Sequence, residues 1–123
     1  MGVYRFPKSG RLRGQKNIQE LFKKGSSFYL HPLRIVVLKA SQDAGRHEVL
    51  LTVSKREFKK AVDRNRIKRL MKEAYRLNQR KISNLPKLQI AYIYSAKETP
   101  ELSQLLGKFN ESFERLKQYV EKS

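Results

Sequence analysis

Lys55-Arg56-Glu57-Phe58-Lys59-Lys60-Ala61-Val62-Asp63-Arg64-Asn65-Arg66-Ile67-Lys68-Arg69-Leu70-Met71-Lys72-Glu73-Ala74-Tyr75-Arg76 joins a dense run of cations to the periodicity of a helix. At about 100° per residue, Asn65, Lys68, Arg69, Lys72 and Arg76 fall on one face, and Ile67, Leu70, Met71, Ala74 and Leu77 on the opposite one. Asp63 suits the positive end of a helix dipole and the later cations its negative end, so the spacing predicts a helix running to about residue 78. A charged helix face is usually a solvated one, laced with Glu–Lys pairs at i,i+4. Here acids are nearly absent, with only Glu57 and Glu73 expected to form ion pairs on or near the helix. Uncompensated cations repel one another unless a polyanion neutralises them, which points to nucleic acid.

The rest of the chain agrees. Its 123 residues carry 28 Lys plus Arg against 11 Asp plus Glu, a formal net charge of +17, and 39% hydrophobic residues suffice for one small core. There is no cysteine, so disulfides and thiolate metal sites are excluded, and His31 and His47 show no metal-ligand spacing. No apolar run reaches the length of a membrane span or matches a secretory leader, which makes a cytoplasmic location the expectation.

Residues 1–14 are basic and Gly-punctuated and are expected to form a flexible arm, ahead of a single domain over residues 15–123. Ile18, Leu21 and Phe22 at i, i+3 and i+4 predict a short helix closed by Gly25; the spacing favours Phe22 as a core anchor over the alternative, a ring left partly open beside a cleft where a base could stack. Leu33–Leu38 and Val49–Val53 have strand composition. The Gln42–Arg46 segment between them has the chemistry of a hairpin loop, so an antiparallel pair is expected. Leu88–Tyr94 predicts a third strand with Leu88, Ile90, Tyr92 and Tyr94 on one face. Thr99 is suited to cap a last helix with Pro100 at its first position, followed by a core stripe of Leu102, Leu105, Leu106, Phe109, Phe113, Leu116 and Val120. The order α-β-β-α-β-α describes an α+β domain with helices laid on a small mixed sheet.

Nothing in this pattern supplies protein-borne catalysis. No carboxylate pair, nucleophile motif or phosphate-cradling glycine loop is present, and each histidine reads as a surface or partly buried residue. The pattern is that of a binder. A structural RNA-binding protein of the ribosomal type has the same features. A module for acidic membrane surfaces would need a cationic amphipathic helix, which the last helix, with Glu101, Glu111, Glu114 and Glu121, does not provide.

Ser54-Lys55-Arg56 followed by Ala61-Val62-Asp63-Arg64-Asn65-Arg66-Ile67-Lys68-Arg69 resembles the RNR signature of the bacterial ribonuclease P protein subunit. Arg11-Leu12-Arg13 and Ile18–Gly25 are similar to that family's opening segment. The resemblance implies a four-stranded mixed sheet like ribosomal protein S5 domain 2, with a left-handed βαβ crossover. It also implies a cofactor role in a ribonucleoprotein endonuclease that removes the 5′ leader of precursor tRNA. The catalytic RNA subunit, with Mg²⁺ held mainly by RNA, would supply the chemistry, and no protein partner is required. The residues it implies for the RNA-binding helix and its approach are Arg64, Asn65, Arg66, Lys68, Arg69, Lys72, Arg76, Lys55 and Lys60. Arg64, Arg69 and Lys72 are expected to project from the core, so that removing their charges leaves the fold intact. A leader cleft would use Phe22, Ile18, Val36 and Phe28, with Tyr29 as a further aromatic candidate in it, and Arg11 and Arg13 would make N-terminal RNA contacts. Three departures stand out. Lys72 replaces a frequent arginine, Ile18 and Val36 stand where aromatic residues are frequent, and Lys55–Lys60 is one residue longer than the usual segment and lacks its glycine.

Overall fold

The computed structural model describes residues 14–40 and 47–122. In chain order these form α1 (Gln15–Lys24), β1 (Ser26–Leu30), β2 (Leu33–Lys39), β3 (Glu48–Val53), α2 (Ala61–Asn78), a 3₁₀ turn (Gln79–Ile82), β4 (Leu88–Tyr94) and α3 (Leu102–Lys122). The expected 1–14 arm and the 42–46 hairpin loop lie outside the described residues, apart from Gly14.

The four strands form one sheet in the order β1-β2-β4-β3. β1 and β4 both run antiparallel to β2, whereas β3 lies parallel to β4, with Val49 opposite Ile90 and Val53 opposite Tyr94. This corrects the antiparallel pairing expected between Leu33–Leu38 and Val49–Val53: β4 is inserted between them. The physical reason lies in β4 itself, where Leu88, Ile90, Tyr92 and Tyr94 are buried on one face and Ala91 on the other. A strand apolar on both faces takes the centre of a sheet, and the parallel β3–β4 pair is joined by the crossover through α2. β1, with the polar sequence Ser26–Leu30, did not stand out by periodicity and is an exposed edge strand.

Strand alternation sorts the side chains onto two faces. Leu33, Ile35 and Val37 of β2, Val49 and Val53 of β3, and Leu88, Ile90, Tyr92 and Tyr94 of β4 join Ile67, Met71, Ala74, Tyr75, Leu105, Phe109, Phe113 and Leu116 in one core beneath α2 and α3. At its centre Tyr92 stacks on Phe109 with ring centroids 4.4 Å apart, while the Tyr75 ring meets Phe113 edge-on at 5.7 Å. Tyr92 Oη and Ser112 Oγ are hydrogen-bonded at 2.8 Å. The buried hydroxyl is therefore satisfied and costs little. Burial pushes the Tyr75 and Tyr92 hydroxyls well above the ordinary tyrosine range, leaving them neutral.

Three local readings are corrected. Tyr75 is buried and Leu77 exposed, so the core face of α2 is rotated by roughly 50° from the expected one, half of the 100° residue step. α3 begins at Leu102 rather than at Pro100. Its start is marked by Glu101, whose carbonyl accepts from Leu105 N–H and whose own N–H donates to Gln104 Oε1 at 3.1 Å, the return half of a capping box, in place of a Thr99 cap. Phe22, read as a core anchor, is 42% exposed.

His47 is the buried polar link of the crossover. Its Nδ1 accepts from Leu88 N–H at 3.0 Å, which leaves Nε2 to donate to the Ile82 carbonyl at 2.6 Å. One imidazole thus ties the start of β3 to the turn after α2 and the start of β4. Burial lowers its pKa, opposed by the hydrogen bond to Ile82 and reinforced by Lys87.

Candidate nucleic-acid interface

α2 turns Ile67, Met71, Ala74 and Tyr75 inward, so geometry sends Asn65, Arg66 and Arg69 outward, and all three are exposed. Lys68, Lys72 and Arg76 are half-buried along the flanks, and Lys55 and Lys60 are exposed on the approach to the helix. Lysine and arginine lay their methylene stems on the surface and keep their charges in water, so half-burial does not remove them from an anionic partner. Glu73 forms a bidentate pair with Arg76, at 2.7 and 3.1 Å. Glu57, also expected to be ion-paired, has no such partner among the described residues.

Arg64 lies off the core as expected, but unlike its exposed neighbours it is tied back to the chain. Its Nη1 donates to the carbonyls of Phe58 and Lys59, each at 2.8 Å. Lys60, the N-cap, offers no side-chain cap, and the entry segment is instead pinned by two anchors. Phe58 N–H donates to the Ser54 carbonyl at 3.1 Å and its ring is buried against Tyr94, while Arg64 gathers the carbonyls that follow. Arg64 therefore shapes the turn that presents the remaining cations.

The second face of the sheet carries only α1. Leu21, Val36 and Ala91 form a small buried cluster there, flanked by Ile18, Leu38, Leu50 and Ile93. Gly25 permits this seat: a Cβ at that position would lie 2.9 Å from both Val36 Cγ1 and the Val37 carbonyl oxygen, and 2.5 Å from the Leu21 carbonyl oxygen. Two of the four expected cleft residues are thereby displaced. Val36 is only 2% exposed beneath α1 and offers no surface to a ligand. Phe28 is opposite Ile35 and so points to the α2/α3 side, where Arg115 lies 4.7 Å from its ring centroid. Phe22 and the half-buried Ile18 remain on the α1 side.

The register shows what stays open next to α1. Tyr29, Arg34, Ile93 and Thr52 are directly opposite one another across β1, β2, β4 and β3, forming a row that spans the sheet on the α1 side. Tyr29 and Arg34 are exposed, Ile93 and Thr52 half-buried. The row on the other side of the Val36–Ala91 cluster is formed by Leu38, Gln89 and Glu48. No local spacing links Arg34, Ile93 and Thr52, because the row exists only once the strand order is known. Arg11 and Arg13 lie outside the described residues. Among the described residues no group of three His, Cys, Asp or Glu side chains could hold a metal ion, and no helix is long and apolar enough to cross a membrane.

These features define a class: a small, strongly basic α+β protein whose crossover helix displays an RNR sequence. The family model described as Ribonuclease P matches residues 6–117. The chain is 40% identical over 89 residues to the ribonuclease P protein component of Porphyromonas gingivalis, covering 72% of this chain and 64% of that protein. Against the corresponding protein of Desulforapulum autotrophicum it is 32% identical over 114 residues, 88% of this chain and 95% of the relative. The fold is similar to that of the Staphylococcus aureus RNase P protein, with a TM-score of 0.73 at 20% identity over 89% of this chain and 97% of that one. The Thermotoga maritima RNase P protein gives 0.72 at 24% identity over 85% and 96%. The chain belongs to the ribonuclease P protein family.

Proposed function

We propose that this protein binds the catalytic RNA of ribonuclease P through the outward side of α2 and holds the 5′ leader of precursor tRNA on the α1 side of its sheet, promoting removal of that leader. The observation that carries the reading is the display of Asn65, Arg66 and Arg69 on a helix whose other side is locked into the core. A rigid cationic ridge meets phosphates without reorganising, and each phosphate neutralised releases counterions, so the protein's effect is largest at low salt. Phosphodiester chemistry belongs to the RNA subunit and the Mg²⁺ it carries, and the protein positions the substrate. Phe22 and Ile18 supply apolar contact to the single-stranded leader, which RNA recognition favours over deep groove reading.

The test is leader cleavage by a cognate ribonuclease P RNA at low Mg²⁺, with and without the protein. Stimulation that is lost in the R66A/R69A double variant, with an unchanged melting transition, is the expected result. Tight RNA binding without stimulation would move the assignment to a structural RNA-binding protein.

A further inference from the structure

Tyr29 is 54% exposed on the α1 side of the edge strand β1. Its hydroxyl and His31 Nδ1 are hydrogen-bonded at 2.9 Å, and the two rings are tilted at 58° with centroids 5.9 Å apart. Arg34 stands directly opposite Tyr29 in the β1–β2 register and is also exposed. Directly opposed residues have Cβ atoms about 5 Å apart, so an aromatic and a cationic side chain start from neighbouring positions at one end of the open row.

The rest of the row decides what this end can do. The middle of the face is closed, because Val36 lies under Leu21 and Gly25 and offers nothing for a base to stack on. The row beside it stays accessible. It runs through Ile93 to Thr52, two residues before Ser54, where the chain turns towards the cationic start of α2. Three inter-strand spacings make this track about 14 Å long. It carries Arg34 and no carboxylate, whereas the row beyond the Val36–Ala91 cluster carries Glu48. A polyanion therefore favours the Tyr29 row.

We infer that Tyr29 is a base-stacking position for the single-stranded leader, with Arg34 contacting the adjoining phosphate or stacking on the neighbouring base. This deepens the leader-binding reading above and rests on it. A ring steadied by His31 loses little freedom when a base settles on it, and stacking on an aromatic face tolerates every base. In this chain, stacking is thus carried at the edge strand rather than at the sheet centre, where Val36 is buried.

The experiment measures the affinity of the reconstituted holoenzyme, this protein with a cognate ribonuclease P RNA, for precursor tRNAs whose leaders lengthen one nucleotide at a time. The native protein is expected to gain affinity in steps as the leader reaches successive parts of the track. Y29A should lose one of those steps, by roughly 5- to 100-fold. Y29F, which keeps the ring and loses the hydroxyl, should retain it, and Y29L, which keeps apolar bulk without a π face, should not. Loss in Y29F equal to that in Y29A would overturn stacking in favour of the hydroxyl. A normal step in Y29A, with the native protein still leader-dependent, would overturn the Tyr29 assignment while sparing the leader reading. No leader dependence in the native protein would instead remove that reading and this inference with it.

Discussion

The two faces of the sheet are built from the same four strands and end in opposite states. On one, α2 and α3 close over Ile35, Tyr92, Phe109 and Phe113, which are buried, with Phe28 and Leu51 half-buried at the margin. On the other, the ten residues of α1 cover little more than Val36 and Ala91, leaving Phe22, Tyr29 and Arg34 in solvent. Burial of apolar surface stabilises by roughly 25 cal/mol per Å², so the closed face supplies most of the stability. The open face is consequently available to a ligand. The closed side gives α2 a rigid support, and the other side leaves apolar and cationic side chains exposed.

The largest expected effect tests this division of labour directly. Phe109→Ala should destabilise by about 3–5 kcal/mol in denaturant unfolding, whereas Phe22→Ala should change stability by no more than about 0.5 kcal/mol and act instead on leader affinity. Comparable losses from both would erase the contrast. Gly25→Ala sharpens the boundary between faces: the added methyl meets backbone oxygens and Val36, so α1 must lift from the sheet, costing about 1–3 kcal/mol. A neutral Gly25→Ala variant would mean that α1 is not seated as described.

The closed face also has a pH-sensitive edge at His47. Its folded-state pKa is lowered, so between that value and about 6.5 the unfolded chain binds more protons than the folded one. The His47 contribution is therefore complete above pH about 6.5, is lost as the pH falls through the folded pKa, and is flat below it. In His47→Ala this component of the pH dependence should vanish, and stability near neutral pH should fall by about 1–3 kcal/mol as the Leu88 N–H and Ile82 carbonyl lose their partner. Thermal melts across pH 5 to 8 check both. The smallest effect separates two arginines of one motif. Arg64→Ala should cost about 1 kcal/mol through its two carbonyl bonds, while Arg69→Ala leaves stability within about 0.5 kcal/mol and lowers the salt dependence of RNA binding. Equal melting temperatures for the two variants would remove the anchoring role of Arg64.

Much of this was legible in the residues. The α2 periodicity, the Leu88–Tyr94 strand and the α3 stripe all follow from local spacing, because a helix or strand repeats its environment every few residues. Leu77, expected on the core face, is exposed, and Tyr75, given no face by the spacing, is buried in its place, for a reason of the same kind. Residues near the edge of an apolar stripe are placed by whichever neighbour packs there, and Phe113 and Tyr92 take up the Tyr75 ring. For the open face, the resemblance implies a leader cleft that includes Phe28 and Val36, yet Phe28 faces the α2/α3 side and Val36 lies buried under α1. Alternation tells which residues share a face and is silent about which helix covers that face.

The sequence by itself determined the charge, the helical cationic ridge, the apolar content of a single core and the RNR signature, since these depend on composition and on neighbours a few positions apart. Only the tertiary structure decided that β4 separates β2 from β3, that Arg64 holds the turn its neighbours stand on, and that Tyr29, Arg34, Ile93 and Thr52 form one row. Those facts join residues as far as 64 positions apart, Tyr29 to Ile93, and such pairings are set by which strand can be buried on both faces, a property of the assembled sheet.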